Sequence, residues 1–398
     1  MNRDSYQPLK SIDTNFDKLN LMRNRSLNIG IITPPIGAAG VVPLSNLVNV
    51  ISYISDFVFV ITGKVDISPS RETNSNIFIY RIPYTPKSNI IQKITGNFLL
   101  QVHISNKIIK LKDNVDVLLY FLDSHVYILP ALIGKLLKKK IVFVLAASIS
   151  NSALANANIF SKILRFSESI NFKYANCIVV YSPSLLEKWG LQNYAHKIRI
   201  AHEHSLDFNS FCITTPLSDR PSRIGYIGRL SGEKGVQHFV QALPAILSDR
   251  KDLRVLIGGD GQLKETIETS LKEEGASARV DLPGWIPHDD LPRYLNQLRL
   301  LVLPSYSEGL PNVMLEAMAC GTPVLATPVG AIPDIIIDGK TGFIIENNSP
   351  ECIAKNVIRA LCSPDLEQIA GNGRRFVEEH FTFEKTVEDW KRILQDIE

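Results

Sequence analysis

The chain has 398 residues, 45% hydrophobic and 21% charged, with a formal net charge of +3. That length predicts two domains, each able to bury its own core, and the composition is that of an ordinary soluble globular protein. No apolar run approaches the ~20 residues that span a bilayer, and five cysteines without a Cys-x-x-Cys pair fit a reduced cytosolic protein better than a disulfide framework or a zinc site.

The small net charge hides a division. Residues 1–205 carry 23 Lys and Arg against 12 Asp and Glu, while residues 206–398 carry 20 against 28. A basic first half points to something anionic. The basic residues are scattered and lack aromatic interleaving, so nucleic acid is excluded as a partner.

Residues 1–26 are polar, lack the apolar core of a signal peptide and predict a loose N-terminal tail, with a cytoplasmic location. Strand-like runs then alternate with helical stretches. The first series is Asn28–Thr33, Phe57–Ile61, Ile77–Ile82, Val115–Phe121, Ile141–Leu145 and Cys177–Tyr181. After the first strand, Pro34-Pro35-Ile36-Gly37-Ala38-Ala39-Gly40 makes a glycine-containing loop, and a helix is expected from Pro43, with Leu44, Leu47, Val48 and Ile51 on one face. The segment from Leu129 to Lys140 is apolar and ends in Lys135, Lys138, Lys139 and Lys140. Such a segment suits an anionic membrane surface, but taken alone it fits better a solvated helix end whose lysines complement the dipole. His202-Glu203-His204 has no further clustered ligand, so no metal is expected there.

Pro216, Ser218, Asp219 and Pro221 break periodicity and mark the domain join between Ile200 and Ser222. The second series is Arg223–Gly228, Arg254–Ile257, Arg279–Leu282, Leu300–Leu303, Val324–Ala326 and Gly342–Ile345. Repeated β-α alternation implies parallel sheets covered on both faces, and two series imply two doubly wound α/β domains. The last segment, from Phe383 to Ile397, carries Val387, Trp390 and Leu394 at helical spacing.

Three glycine-punctuated stretches of the second series carry chemistry. Ile227-Gly228-Arg229-Leu230 leads through Ser231 and Gly232 to Glu233-Lys234-Gly235, a strand running into a turn with two cations able to offset a diphosphate. Gly258-Gly259-Asp260-Gly261 is a second glycine-rich strand end. Ser305-Tyr306-Ser307-Glu308-Gly309-Leu310-Pro311-Asn312-Val313 follows an apolar strand and opens a helix carrying Glu316. Backbone N–H groups at such a helix start favour an anion, and a carboxylate further along can take up a diol.

The run from Ser305 to Val324, with two glutamates separated by seven residues and then Ala317-Met318-Ala319, Gly321 and Pro323-Val324, resembles the signature of the family 4 retaining glycosyltransferases, also called the glycosyl transferases group 1 family. The Gly228–Gly235 string resembles the same family's Gly-Arg-Leu and Glu-Lys-Gly element. The resemblance implies the GT-B fold, two Rossmann-like domains facing across a cleft, with a tail at 1–26, an acceptor domain at 27–205, a donor domain at 206–375 and a helix at 376–398 crossing back to the first.

It further implies that Arg229 and Lys234 stabilise the leaving diphosphate, that Glu308 contacts the donor sugar near its reacting carbon, and that Glu316 binds the ribose diol. Asn312 and Val313 offer N–H groups to the phosphates, and Ser305 and Gly309 shape the loop. Gly37, Gly40, Gly228, Gly259 and Gly261 line the donor. Trp285, in Pro283-Gly284-Trp285-Ile286-Pro287, either stacks on the base or belongs to the core. Where many members carry an acceptor-side histidine, this chain reads Ala146-Ala147-Ser148, and His125 is the nearest candidate.

The expected function is retaining, metal-independent transfer of a sugar from a nucleotide diphosphate donor to a glycan or lipid-linked acceptor, with no cofactor and with peripheral contact to an anionic membrane. The alternative is an inactive nucleotide-sugar-binding partner subunit. A nicotinamide-dependent dehydrogenase would need a Gly-x-Gly-x-x-Gly turn, which Thr33–Gly40 does not offer.

Overall fold

The structure is a computed structural model, and it describes residues 27–63, 76–83, 90–146 and 159–397. The expected tail at 1–26 and Ala147-Ser148 lie outside the described residues.

The chain divides into two compact units. The first comprises residues 1–181, 186–204 and 386–398, and the second residues 182–185 and 205–385. The return to the first unit therefore falls at Thr386, later than the expected 376, because the helix Leu366–His380 packs its Leu366, Ile369 and Ala370 into the second unit's core.

The first unit holds a seven-stranded sheet of β1 (Asn28–Ile32), β2 (Phe57–Thr62), β3 (Ile77–Arg81), β4 (Val117–Tyr120), β5 (Lys140–Leu145), β6 (Cys177–Val180) and β7 (Ile198–Ile200), in the order β3-β2-β1-β4-β5-β6-β7. All its pairs are parallel. Runs such as Val117-Leu118-Leu119-Tyr120 are buried along their whole length, as a sheet covered on both faces requires. One face carries Leu118, Tyr120, Ile141, Phe143 and Ile178 against Leu100, Ile104, Ala131 and Phe172 from the helices Ile90–Lys110, Ile128–Leu136 and Ile159–Tyr174.

The helix expected from Pro43 begins earlier, at Ala38, and runs to Ile54 with Pro43 inside it. Proline there removes one backbone bond. The buried stripe of Leu44, Leu47, Val50 and Ile51 outweighs that loss.

The second unit holds a six-stranded parallel sheet of β8 (Arg223–Ile227), β9 (Arg254–Gly258), β10 (Val280–Gly284), β11 (Leu300–Leu303), β12 (Val324–Ala326) and β13 (Phe343–Ile344), ordered β10-β9-β8-β11-β12-β13. In both sheets the strand order reverses once: between β1 and β4 in the first, and between β8 and β11 in the second. Ligands of open α/β sheets bind beyond the carboxyl ends of the strands at such a point.

The final helix, Phe383–Ile397, closes the first unit. Trp390 is wholly buried and its Nε1 donates to the His202 carbonyl at 2.9 Å, while the Thr386 hydroxyl donates to the His204 carbonyl at 3.0 Å. Among the described residues no helix is long and apolar enough to cross a membrane.

Candidate functional site

The switch point of the second sheet gathers most of the residues singled out above. The turn after β8 carries Arg229 and Lys234, and the loop after β11 carries Ser305, Glu308 and Gly309 before the helix Asn312–Ala319. Lys234 Nζ donates to Glu308 Oε2 at 2.7 Å, and the Ser305 hydroxyl donates to Glu308 Oε1 at 2.6 Å. Both carboxylate oxygens are thus engaged, and Lys234 keeps two further N–H donors. Arg229 is 60% exposed, with only a 3.5 Å contact to Glu233. Its own carbonyl accepts from the Tyr226 hydroxyl at 2.7 Å, which fixes the backbone of the turn. Burial pushes the Tyr226 phenol well up, so it remains a donor.

Glycines lock four loops here, in two pairs. Gly259 has φ +134, and a Cβ there would stand 1.8 Å from the Gly228 carbonyl oxygen. Gly261, at φ +155, would meet the Leu230 carbonyl at 2.4 Å. The turn after β8 and the loop after β9 are joined by Gly228 N donating to Gly258 O and Leu230 N to Asp260 O. Gly330, after β12, has φ +57 and backs onto the Glu308 and Gly309 carbonyls, and Ala331 N donates to Gly309 O at 2.8 Å. Glu308 is therefore held by Lys234 on the turn after β8 and by the Gly330-Ala331 backbone behind it.

Asn312 and Val313 form the first helical turn, where N–H groups lack intrahelical partners. Glu316 lies on the same helix, nearly buried, with Oε1 3.1 Å from His288 Nε2. The Glu316 hydrogen bond raises the His288 pKa above its usual value, against the pull of burial. His288 was not anticipated from the sequence. Its only signal is its place after Trp285-Ile286-Pro287, in the stretch that the resemblance sets beside the base. Trp285 is 71% exposed, which removes the core alternative for it. Asp334 accepts from Ser184 N at 3.1 Å within the second unit.

The first unit places its residues at its own switch point. The loop after β1 leads into the helix that Gly37 precedes. A Cβ on Gly37 would meet nothing within 4 Å, whereas one on Gly40 would approach Ile36 Cβ at 3.0 Å. His125 lies in the turn Leu122–Val126 after β4. It is 1% exposed, with Nδ1 3.1 Å from the Leu122 carbonyl and Nε2 3.0 Å from Glu168 Oε1. Both nitrogens face oxygen acceptors, and Asn171 Nδ2 donates to its carbonyl. No nitrogen is left to take a proton from an acceptor hydroxyl, so the geometry makes His125 a structural partner of Glu168. Leu122, in the left-handed region at φ +56, is held there by this network.

In His202-Glu203-His204, Glu203 and His204 are buried in the first unit beside Tyr181, whose ring lies edge-on to His204. Burial pushes Glu203 up to about 7, and its Oε2 has no hydrogen-bond partner. Among the described residues no group of three or more His, Cys, Asp or Glu side chains is placed to hold a metal ion.

A family model described as glycosyl transferases group 1 matches residues 214–376. An uncharacterized glycosyltransferase of Methanocaldococcus jannaschii is 25% identical over 81% of this chain and 86% of its own length. An alpha-D-kanosaminyltransferase of Streptomyces kanamyceticus is 33% identical, but over 39% of this chain and 40% of its own length. Anabaena HepE, solved with UDP, has a TM-score of 0.74 at 17% identity, covering 92% of this chain and 99% of that one. A sucrose-phosphate synthase from Thermosynechococcus elongatus has a TM-score of 0.72 at 20% identity, covering 93% and 99%. The two structures show the fold, which is of the GT-B type. Residues 214–376, the part of this chain that matches the glycosyl transferases group 1 model, hold the paired glutamates and the Arg229–Lys234 turn that meet at the switch point.

Proposed function

We propose that this chain moves a sugar from a nucleoside diphosphate sugar to an acceptor hydroxyl, with the anomeric configuration retained and without a metal ion. The observation that carries this reading is the convergence of Arg229, Lys234, Glu308 and the start of the helix Asn312–Ala319 at the second sheet's switch point. Two cations and a helix N-terminus together suit a diphosphate, and the nearly buried Glu316 suits a ribose diol.

As the bond from the anomeric carbon to the diphosphate oxygen breaks, its electron pair passes to the phosphate. Arg229 and the two further donors of Lys234 stabilise that charge, Lys234 being held by Glu308 before the reaction begins. The two cations supply the charge that Mg²⁺ supplies at many diphosphate sites. Glu308 orients Lys234 and keeps a negative edge near the sugar, where positive charge develops. With both its oxygens engaged, Glu308 suits this supporting role better than attack on the sugar. The acceptor oxygen then closes on the same face as the leaving phosphate, which takes its proton. That route needs no basic side chain, in keeping with a His125 whose nitrogens are both engaged. The acceptor is a glycan or lipid-linked hydroxyl.

The test is transfer from a panel of UDP-, GDP- and ADP-sugars by the full chain, with EDTA present and NMR of the product's anomeric proton. A neighbour solved with UDP makes the uridine donors the first to try. Retained configuration in EDTA is expected. An inverted product, or activity restored only by Mg²⁺ or Mn²⁺, contradicts the mechanism.

A further inference from the structure

Three neighbouring helices of the first unit present large apolar side chains to solvent on the side away from their sheet. In the helix Ile90–Lys110, Leu100, Ile104 and Ile108 are buried, while Phe98 is 63% exposed and Leu99 stands beside it. In the helix Ile128–Leu136, Pro130, Ala131 and Gly134 face inward, and Leu132 and Leu136, one turn apart, face outward, Leu136 with 69% of its surface free. In the helix Ile159–Tyr174, Ser167 and Asn171 are buried and Phe166 is 66% exposed.

Two hydrogen bonds bring these faces together. Gln101 Oε1 accepts from Leu129 N, which ties the first helix to the opening turn of the second. Glu168 holds His125, which ties the third helix to the turn just before it. Phe98 and Phe166 therefore flank the start of the helix on which Leu132 and Leu136 continue the apolar row.

The charge that the three helices themselves present has one sign; the exposed Asp113, Asp116 and Asp123 lie in the segment between the first two helices, on either side of β4. Residues 90–110 and 128–140 contain no aspartate or glutamate, and the only acid in 159–174, Glu168, is turned inward to His125. Lys135 and Lys138 are exposed beside Leu136, and Arg165 precedes Phe166. Scattered exposed apolar residues are ordinary, but apolar anchors among cations on three neighbouring helices that themselves carry no exposed acid are the mark of a surface that meets anionic lipid. A second copy of this chain fits poorly, because a two-fold contact would set these cations against themselves.

We propose that this three-helix face docks on an anionic lipid surface, with Phe98, Leu136 and Phe166 entering the headgroup boundary and Lys135 and Lys138 meeting lipid phosphates or carboxylates. The inference deepens the acceptor half of the proposed function and rests on it only for what the docked enzyme would act upon. Vesicle binding is read without donor or acceptor, so failure of docking and failure of donor binding are separate results.

The experiment is co-sedimentation of the full chain with phosphatidylcholine vesicles, with and without phosphatidylglycerol, at low and high salt. Binding is expected only with phosphatidylglycerol, and it should weaken at least tenfold at high salt. Leu136→Ser combined with Phe166→Ser, and separately Lys135→Glu combined with Lys138→Glu, should each lower it roughly tenfold or more. All four residues are exposed, and circular dichroism would confirm an unchanged fold. Equal binding to both vesicle types, binding unmoved by either double variant, or none at all overturns the proposal. So does a dimer, seen by sedimentation equilibrium, that the Leu136→Ser, Phe166→Ser variant abolishes.

Discussion

In the proposed reaction Arg229 and Lys234 carry the charge, and the structure gives the two side chains different dependencies. Arg229 is exposed and leans on little, so Arg229→Ala removes a cation and leaves the loop intact. Lys234→Ala also strips Glu308 Oε2 of its partner. Each substitution should lower turnover by more than tenfold, since losing one preorganised donor at a developing charge costs about 3 kcal/mol. Steady-state rates with unchanged thermal melts would check this, and near-normal turnover in both variants would count against the site. Glu203 offers a test of pH dependence. Its folded pKa of about 7 lies above its ordinary value of 4.5, so the unfolded chain ionises first as pH rises. Stability is therefore highest at acid pH for this group, falls between about 4.5 and about 7, and is level above. The whole effect is on the order of 3 kcal/mol at most. Glu203→Gln should raise the melting temperature at pH 8 and change it little at pH 5; an equal shift at both values would mean that Glu203 is not the titrating group.

At the scale of elements, the loops divide by what their glycines do. Gly259→Ala forces a side chain onto the Gly228 carbonyl at a φ of +134, which should cost several kcal/mol and lower the melting temperature along with activity. Gly37→Ala meets open space at φ −83, so its fold should be unchanged, and a loss of activity with a normal melt would place substrate beside that loop. A lower melting temperature for Gly37→Ala, or none for Gly259→Ala, would contradict the geometry. The strands Leu300–Leu303 and Val324–Ala326 were legible because a fully apolar run bounded by turn residues admits few other readings. β7 was missed, since Ile198-Arg199-Ile200 is too short to show a period and forms only through pairing with β6. The early start at Ala38 was hidden by Pro43, whose local penalty is overridden by packing that no local pattern reports. In the site, the residue types were legible from motif spacing. Their partners were not: Lys234 meets Glu308 across 74 residues and His288 meets Glu316 across 28, pairings that only the tertiary fold creates.

For the whole molecule, the division into a basic half and an acidic half follows the two units closely, with the join at Ser205. The last helix belongs to the first unit, anchored by Trp390 and Thr386 on the carbonyls of His202 and His204. Trp390→Ala should destabilise the first unit by roughly 3–5 kcal/mol through the cavity and the lost hydrogen bond. A melt that keeps the wild-type midpoint would show that the helix is not part of that core. The second unit carries the claim on which the rest depends, that a nucleoside diphosphate is held where β8 and β11 diverge. Isothermal titration calorimetry of the full chain with UDP, GDP and ADP in EDTA, repeated on Arg229→Ala and Lys234→Ala, tests it directly. The account predicts metal-free binding of at least one of the three, weakened more than tenfold by either substitution; no binding of any, or equal affinity in wild type and both variants, would contradict it.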